Sequence, residues 1–249
     1  MNLALAAVVA APGLAVGSFL NVVASRVPLR RPIALGRSAC MTCGTQIAAY
    51  DNIPLVSYAV LRGRCRSCGA RIPLRYPAVE ALTAALIVAC VLRFGATAEA
   101  AVAAFFCSVL VAISAIDVEH RIVPNRIVMP SFVVVLAAQT AIEPSPEWAL
   151  GAAGASAFLL AAALAYPAGM GMGDVKLALL LGAMLGRLVA VGLMLGLLFA
   201  VVPAATLALR HGRRARKMAI PLAPFLALGA VVALFAGEPI LDWYLEQLG

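Results

Sequence analysis

Eight apolar stretches alternate with shorter polar segments along the 249 residues, at roughly 3–25, 78–92, 98–116, 127–142, 149–168, 176–186, 188–209 and 219–237. A membrane helix needs about 20 mostly apolar residues. Most of the stretches approach that length, and 176–186 is the shortest. The pattern predicts an all-α polytopic membrane protein with about eight transmembrane helices. One polar segment, 26–77, is long enough to form a small domain of its own. The expected organisation is a first transmembrane helix at 1–25, a loop module at 26–77 and a transmembrane domain at 78–249.

Composition sharpens this picture. The chain is 64% hydrophobic and 12% charged, whereas soluble domains are about 45–50% apolar and about 25% charged. Residues 1–25 carry no charged side chain, so they lack the basic start of a secretory signal and read as a retained helix. The net charge of +8 would suit nucleic acid, but its placement argues otherwise. Arg26, Arg30, Arg31, Arg37, Arg62, Arg64, Arg66, Arg71 and Arg75 lie in one polar segment, and Arg210, Arg213, Arg214, Arg216 and Lys217 in another. Basic clusters between apolar spans mark cytoplasmic loops.

With the amino terminus outside, segments 26–77, 117–126, 169–175 and 210–218 are cytoplasmic. Of 19 Lys and Arg, only Arg93 and Arg187 then fall outside, while six of 11 acids do: Glu99, Glu143, Glu147, Glu238, Asp242 and Glu246. Asp117 and Asp174 fall on the same, cytoplasmic, side. Gly151, Gly154, Ser156, Gly182, Gly186, Gly192 and Gly196 read as sites of close helix packing.

The loop module carries Cys40-Met41-Thr42-Cys43-Gly44 and Cys65-Arg66-Ser67-Cys68-Gly69, two CxxC knuckles separated by 21 residues. Four thiolates complete a closed tetrahedral zinc site, which leaves no position for water and is structural. A module rich in Pro and Arg has little core, and metal binding can supply folding energy. Two disulfides or a redox pair are the competing reading, disfavoured by a cytoplasmic position. Cys90 and Cys107 lie inside spans and read as buried apolar residues.

Charge at a membrane segment is costly, so Asp117 and Asp174 are functional candidates. Peptide hydrolysis needs a base to activate water and an acid to protonate the departing amide. Two carboxylates sharing one proton supply both. Asp174 lies on Gly171-Met172-Gly173-Asp174, where glycines would admit unusual backbone conformations and close approach of a substrate strand. Lys176 could reach the interface or tune the carboxylate. Against this, Asp117 could be a plain helix-end charge, and Asp174 an N-cap for a helix starting near Val175. The glycine-rich run follows no strand, so a dinucleotide loop is excluded. His120 and His211 read as isolated.

On these motifs the chain resembles the type IV prepilin peptidases, bacterial aspartyl proteases of the GxGD type. The resemblance runs through Gly17-Ser18-Phe19-Leu20-Asn21, the two CxxC pairs, Asp51-Asn52-Ile53-Pro54-Leu55-Val56-Ser57-Tyr58, and Arg75-Tyr76-Pro77-Ala78-Val79-Glu80. It continues in Asp117, Val123-Pro124-Asn125, Gly171-Met172-Gly173-Asp174-Val175-Lys176 and Ile220-Pro221-Leu222-Ala223-Pro224. Leu222-Ala223 stands where the family usually has Phe-Gly, and Asn125 where Asp is common; neither is expected to touch the aspartates.

The resemblance implies a multi-pass protein of the bacterial inner membrane that cleaves leaders of type IV prepilins and pseudopilins on the cytoplasmic side. Asp117 and Asp174 would be catalytic, with Gly171, Gly173 and Lys176 in the active-site loop and Cys40, Cys43, Cys65 and Cys68 holding zinc. Many members with the cysteine loop also N-methylate the new amino terminus with S-adenosylmethionine, and the resemblance implies that second activity here. The implied partners are prepilins and the lipid bilayer, without nucleic acid. A transporter with interfacial ionisable residues is the main rival, and it would call for mid-membrane charges and internal repeats. A non-catalytic anchor displaying a zinc ribbon is the third reading.

Overall fold

The computed structural model describes residues 2–34, 36–166, 170–212 and 220–247. Its long helices are α1 (Asn2–Arg26), α3 (Arg75–Phe94), α4 (Ala98–His120), α5 (Asn125–Ile142), α6 (Glu147–Ala165), α7 (Met172–Leu185), α8 (Val189–His211) and α9 (Ala223–Glu246). A single short helix, α2 (Val56–Val60), lies in the polar segment, beside a 3-10 turn at Ala49–Asn52. No β-strand occurs among the described residues, only two isolated bridges. The basic run Arg213, Arg214, Arg216 and Lys217, predicted as a loop, lies outside the described residues.

Each of the eight apolar stretches contains a helix, with some boundaries displaced. α4 continues past 116 to His120, because nothing breaks it before Arg121 takes a left-handed conformation (φ 54°). α9 continues past 237 through Glu238 and Pro239. Seven stretches among the described residues are long and apolar enough to cross a membrane. One of them, Met172–Arg210, contains both α7 and α8, separated by a 3-10 turn at Gly186–Leu188. α7 alone has 14 residues, about 21 Å at 1.5 Å per residue, against a hydrocarbon core of about 30 Å. Nearly every residue from Asp174 to Leu185 is buried, so α7 is sheltered by protein on all sides and has little need to match the bilayer.

The chain divides into two compact units, Met1–Ala115 and Ile116–Gly249, with the boundary inside α4. In the first unit α1 lies against α3. A Cβ on Gly17 would come 2.6 Å from the Cα of Glu80, and one on Gly13 would come 2.9 Å from that of Ala84. Only glycine permits this approach, which replaces the missing hydrophobic drive between helices in lipid by close van der Waals contact. Leu20, Val79, Val111 and Ala112 form a cluster across α1, α3 and α4. The buried Glu80 carboxylate accepts the Leu55 N–H at 2.9 Å, tying the polar module to α3.

In the second unit α6 crosses α7 where Gly151 meets Gly182, and α8 crosses α9 where Gly192 and Gly196 meet Gly229. These glycines pack as expected from sequence. Gly154 does not: a Cβ there would meet nothing within 4 Å. Gln139 on α5 donates to the Met184 carbonyl at 3.3 Å, joining α5 to α7. At the far end of α7, Glu147 accepts the Arg187 backbone N–H at 2.7 Å and the Arg187 guanidinium holds Glu238 at 2.8 Å.

Candidate functional site

The four cysteines of the first unit meet as the spacing predicts. The two knuckles repeat one backbone design. Gly44 N–H donates to the Cys40 carbonyl and Gly69 N–H to that of Cys65, each at 2.9 Å. Gly44 (φ 72°) and Gly69 (φ 70°) take left-handed conformations with open space around a Cβ, so the backbone angle alone requires glycine. Just outside each knuckle one bridge closes the hairpin, Ala39 with Gln46 and Arg64 with Arg71.

All four Sγ atoms lie within 4.8 Å of one another, and those of Cys40 and Cys68 are 3.8 Å apart. Thiolates about 2.3 Å from a tetrahedral zinc ion would sit about 3.8 Å from each other. The donor set thus has the size of a closed four-coordinate site and could hold a metal ion. The local charges favour one as well. Backbone N–H groups of Cys43 and Thr42 pull the Cys40 thiol down to about 6. At Cys68 the Ala70 N–H favours the thiolate, but the neighbouring Cys43 and burial outweigh it and push the thiol up to about 12. Thiols so close cannot all ionise without a cation among them. Asp51 and Arg66 brace the module with two bonds of 2.8 and 2.7 Å, and Arg66 holds the Asp51 carboxyl below its ordinary range.

The second unit contains both aspartates. Asp117 is on the last turn of α4 and only 5% exposed, whereas the next residue, Val118, is exposed. It is therefore not a solvated helix-end charge. Its Oδ2 accepts the Ala223 N–H at 3.1 Å. Ala223 is the first residue of α9, and its N–H is one of the donors that a helix start leaves without an intrahelical partner.

Asp174 is 9% exposed and is the third residue of α7, which starts at Met172 after an N-cap at Gly171. The N-cap alternative for Asp174 therefore falls. The two carboxylates are close enough to act on each other electrostatically. Each sits at a helix N-terminus, where the macrodipole and free N–H groups favour negative charge. Among the described residues, neither makes an ion pair.

The glycines serve differently from the sequence expectation. Gly171 has an ordinary φ of −83°, and neither it nor Gly173 has positive φ. What Gly173 provides is room: a Cβ there would be 2.8 Å from the Cβ of Val123. The Val123-Pro124-Asn125 segment can therefore lie directly on the start of α7. A Cβ on Gly171 would lie 3.6 Å from the Asp174 Oδ2, an ordinary contact distance. Lys176 points its Nζ at the Asn125 Oδ1, 3.1 Å away, rather than at either aspartate.

Two expectations need correction here. The departures at Ala223 and Asn125 were expected to stand apart from the aspartates. Instead Ala223 donates to Asp117, and Asn125 holds the lysine two residues after Asp174. The Ala223 contact uses a backbone N–H, which no side-chain pattern advertises. The only sequence signal was the proline-flanked start of an apolar run, Pro221-Leu222-Ala223-Pro224.

Residues 12–94 match the bacterial peptidase A24 N-terminal domain, and residues 104–209 match the type IV leader peptidase family. Proteins called prepilin leader peptidase/N-methyltransferase are similar over most of the chain. That of Bacillus subtilis (strain 168) is 35% identical over 94% of this chain and 96% of its own. That of Burkholderia pseudomallei (strain 1026b) is 33% identical over 96% and 87%. That of Pseudomonas aeruginosa (strain PAO1) is 34% identical over 95% and 92%. No solved structure matches the chain significantly.

Proposed function

The chain belongs to the type IV leader peptidase family, and we propose that it removes the leader of type IV prepilins and pseudopilins and then N-methylates the new amino terminus. The observation that carries the peptidase reading is the pair of buried, electrostatically interacting aspartates, each at a helix N-terminus and each without an ion-pair partner among the described residues. A transporter is not favoured.

The chemistry follows from that arrangement. Asp117 and Asp174 share one proton. The ionised carboxylate takes a proton from water, and the resulting hydroxide adds to the scissile carbonyl carbon. The carbonyl π electrons move onto oxygen to give a tetrahedral intermediate. The protonated carboxyl then gives its proton to the amide nitrogen as the C–N bond breaks, releasing a free amine and a leader carboxylate. The Ala223 N–H holds Asp117 in place without neutralising it, as a cation would. Gly173 lets the Val123 segment close on α7, and the Lys176–Asn125 bond fixes where the next turn begins.

Cleavage is assigned to the cytoplasmic face of the bacterial inner membrane, on the strength of a helix order that puts segments 117–126 and 169–175 on the same side as the basic segments 26–77 and 210–218. Zinc is the metal proposed for Cys40, Cys43, Cys65 and Cys68, where it would hold the two knuckles together. S-adenosylmethionine is the second substrate, and no residue of this chain is assigned to it.

Intact-mass analysis of a prepilin with a Gly-Phe junction, incubated with the purified protein and S-adenosylmethionine, tests the reading. Loss of the leader and gain of one methyl group are expected. A folded, zinc-loaded protein that leaves several prepilins uncut would overturn it, as would an Asp174→Asn variant that cuts at the wild-type rate.

A further inference from the structure

The two knuckles share one backbone but differ at the paired positions just outside it. One bridge sets Ala39 opposite Gln46; the other sets Arg64 opposite Arg71. Residues directly opposite in an antiparallel bridge project to the same face, and like charges so placed repel. Both side chains are exposed, and solvent screens them. Arg62, Arg64 and Arg71 make no ion pair or side-chain hydrogen bond among the described residues. All three line one open cleft of about 520 Å³, with Tyr58, Gly63, Ile72, Pro73 and Leu74.

The cleft is a built feature of the module. Arg62 turns the chain in a left-handed conformation (φ 52°), uncommon for a residue with a side chain. Gly63 follows at φ 66°, and a Cβ there would come 2.8 Å from the Tyr58 hydroxyl oxygen. Three exposed arginines lining one cleft call for an anion, and the planar fork of a guanidinium matches phosphate oxygens.

Its surroundings say which anion. Leu74, a lining residue, is exposed and immediately precedes α3, a membrane-competent helix that begins at Arg75. An exposed apolar residue on the rim of a basic cleft, at the point where the chain enters a membrane helix, is the pattern of an element lying in the headgroup layer. We propose that this face of the cysteine module is a binding site for anionic phospholipid, with Arg62, Arg64 and Arg71 on the headgroup phosphate and Leu74 in the acyl boundary. The module then rests on the membrane surface as well as being tethered to it.

Native mass spectrometry of the full-length protein in detergent, titrated with phosphatidylglycerol, phosphatidylcholine, inorganic phosphate or ATP, tests the site. A preference for phosphatidylglycerol over phosphatidylcholine is expected. The Arg62→Gln/Arg64→Gln/Arg71→Gln variant should bind it roughly a hundredfold more weakly, at about 1 kcal/mol for each basic residue near an anionic surface. The Arg30→Gln/Arg31→Gln/Arg37→Gln variant, with the same loss of charge elsewhere in the segment, should bind within about twofold of wild type, since screened charges off the site contribute little. Equal losses in the two variants would overturn the site. ATP or phosphate displacing the lipid from the wild type would overturn the lipid as its ligand.

A second measurement avoids the risk that the triple variant misfolds. Amides of residues 56–64 and 71–74 in the wild type should exchange more slowly in phosphatidylglycerol nanodiscs than in phosphatidylcholine ones. Equal exchange in both would also sink the proposal.

Discussion

The two ends of α7 hold acidic groups in opposite ways. At its carboxyl end Glu147 takes the Arg187 N–H, and the Arg187 side chain grips both oxygens of Glu238, with these side chains largely exposed. At its amino end, about 18 Å away at 1.5 Å per residue, Asp117 and Asp174 are buried, and the nearest donors to them are backbone N–H groups. An acid paired with a cation has a fixed charge and offers no proton chemistry. A carboxylate whose hydrogen bonds come from the main chain, with no ion-pair partner, keeps its position while its protonation can change. The first arrangement fastens helices, and the second suits hydrolysis.

The sharpest way to break the comparison is to remove either carboxylate at the amino end. Asp117→Asn or Asp174→Asn should lower prepilin cleavage by roughly a thousandfold or more, the scale of a lost general acid or base. Neither should lower the melting temperature by more than a few degrees, because a buried carboxylate outside an ion pair contributes little stability. Cleavage rate and thermal melting of the same preparations check both halves.

Gly173→Val attacks the geometry rather than the chemistry. Its side chain would collide with Val123, and a displacement of about 1 Å at the dyad can cost about a hundredfold in kcat. Folding, followed by melting, should suffer less than turnover. If kcat is unchanged, the close contact with Val123 is packing alone.

Lys176→Met removes the bond to Asn125 without touching either aspartate. A fall of about tenfold in kcat is expected, the value of one ordinary hydrogen bond to a charged group. Asn125→Asp should preserve activity, because a carboxylate at that position can accept from the same ammonium. At the other end of α7, Arg187→Gln should leave cleavage within about twofold, and lower the melting temperature by only a few degrees, as expected for exposed ion pairs. A large loss of cleavage there would mean that the two ends of α7 are not separable.

Much of this was legible from the chain. Lipid imposes long apolar helices, so each of the eight apolar stretches could be read directly. The CxxC-Gly repeat specified its own hairpins, because spacing and left-handed glycines are local properties. Boundaries were less legible. Asp117 reads as the start of a loop only if α4 ends where its apolar run ends, and backbone hydrogen bonding carries the helix one turn further.

The same limit applied to the start of α7. Its glycines suggested special backbone angles, whereas Gly173 is needed for an approach by Val123, 50 residues away in sequence. The shortness of span 176–186 likewise made sense only once neighbouring helices were seen to surround it.

The sequence by itself determined the membrane class, the helix order, the cysteine cluster and the two aspartates as candidates, since each rests on residue type and spacing along the chain. Only the tertiary structure decided what surrounds those candidates. Asp117 meets the start of α9 across 106 residues of chain, through a backbone N–H that every residue but proline possesses. Arg64 faces Arg71 because the second knuckle folds back on itself. Contacts made by the main chain, and charges paired across a turn, depend on where the chain returns in space, which no local pattern records.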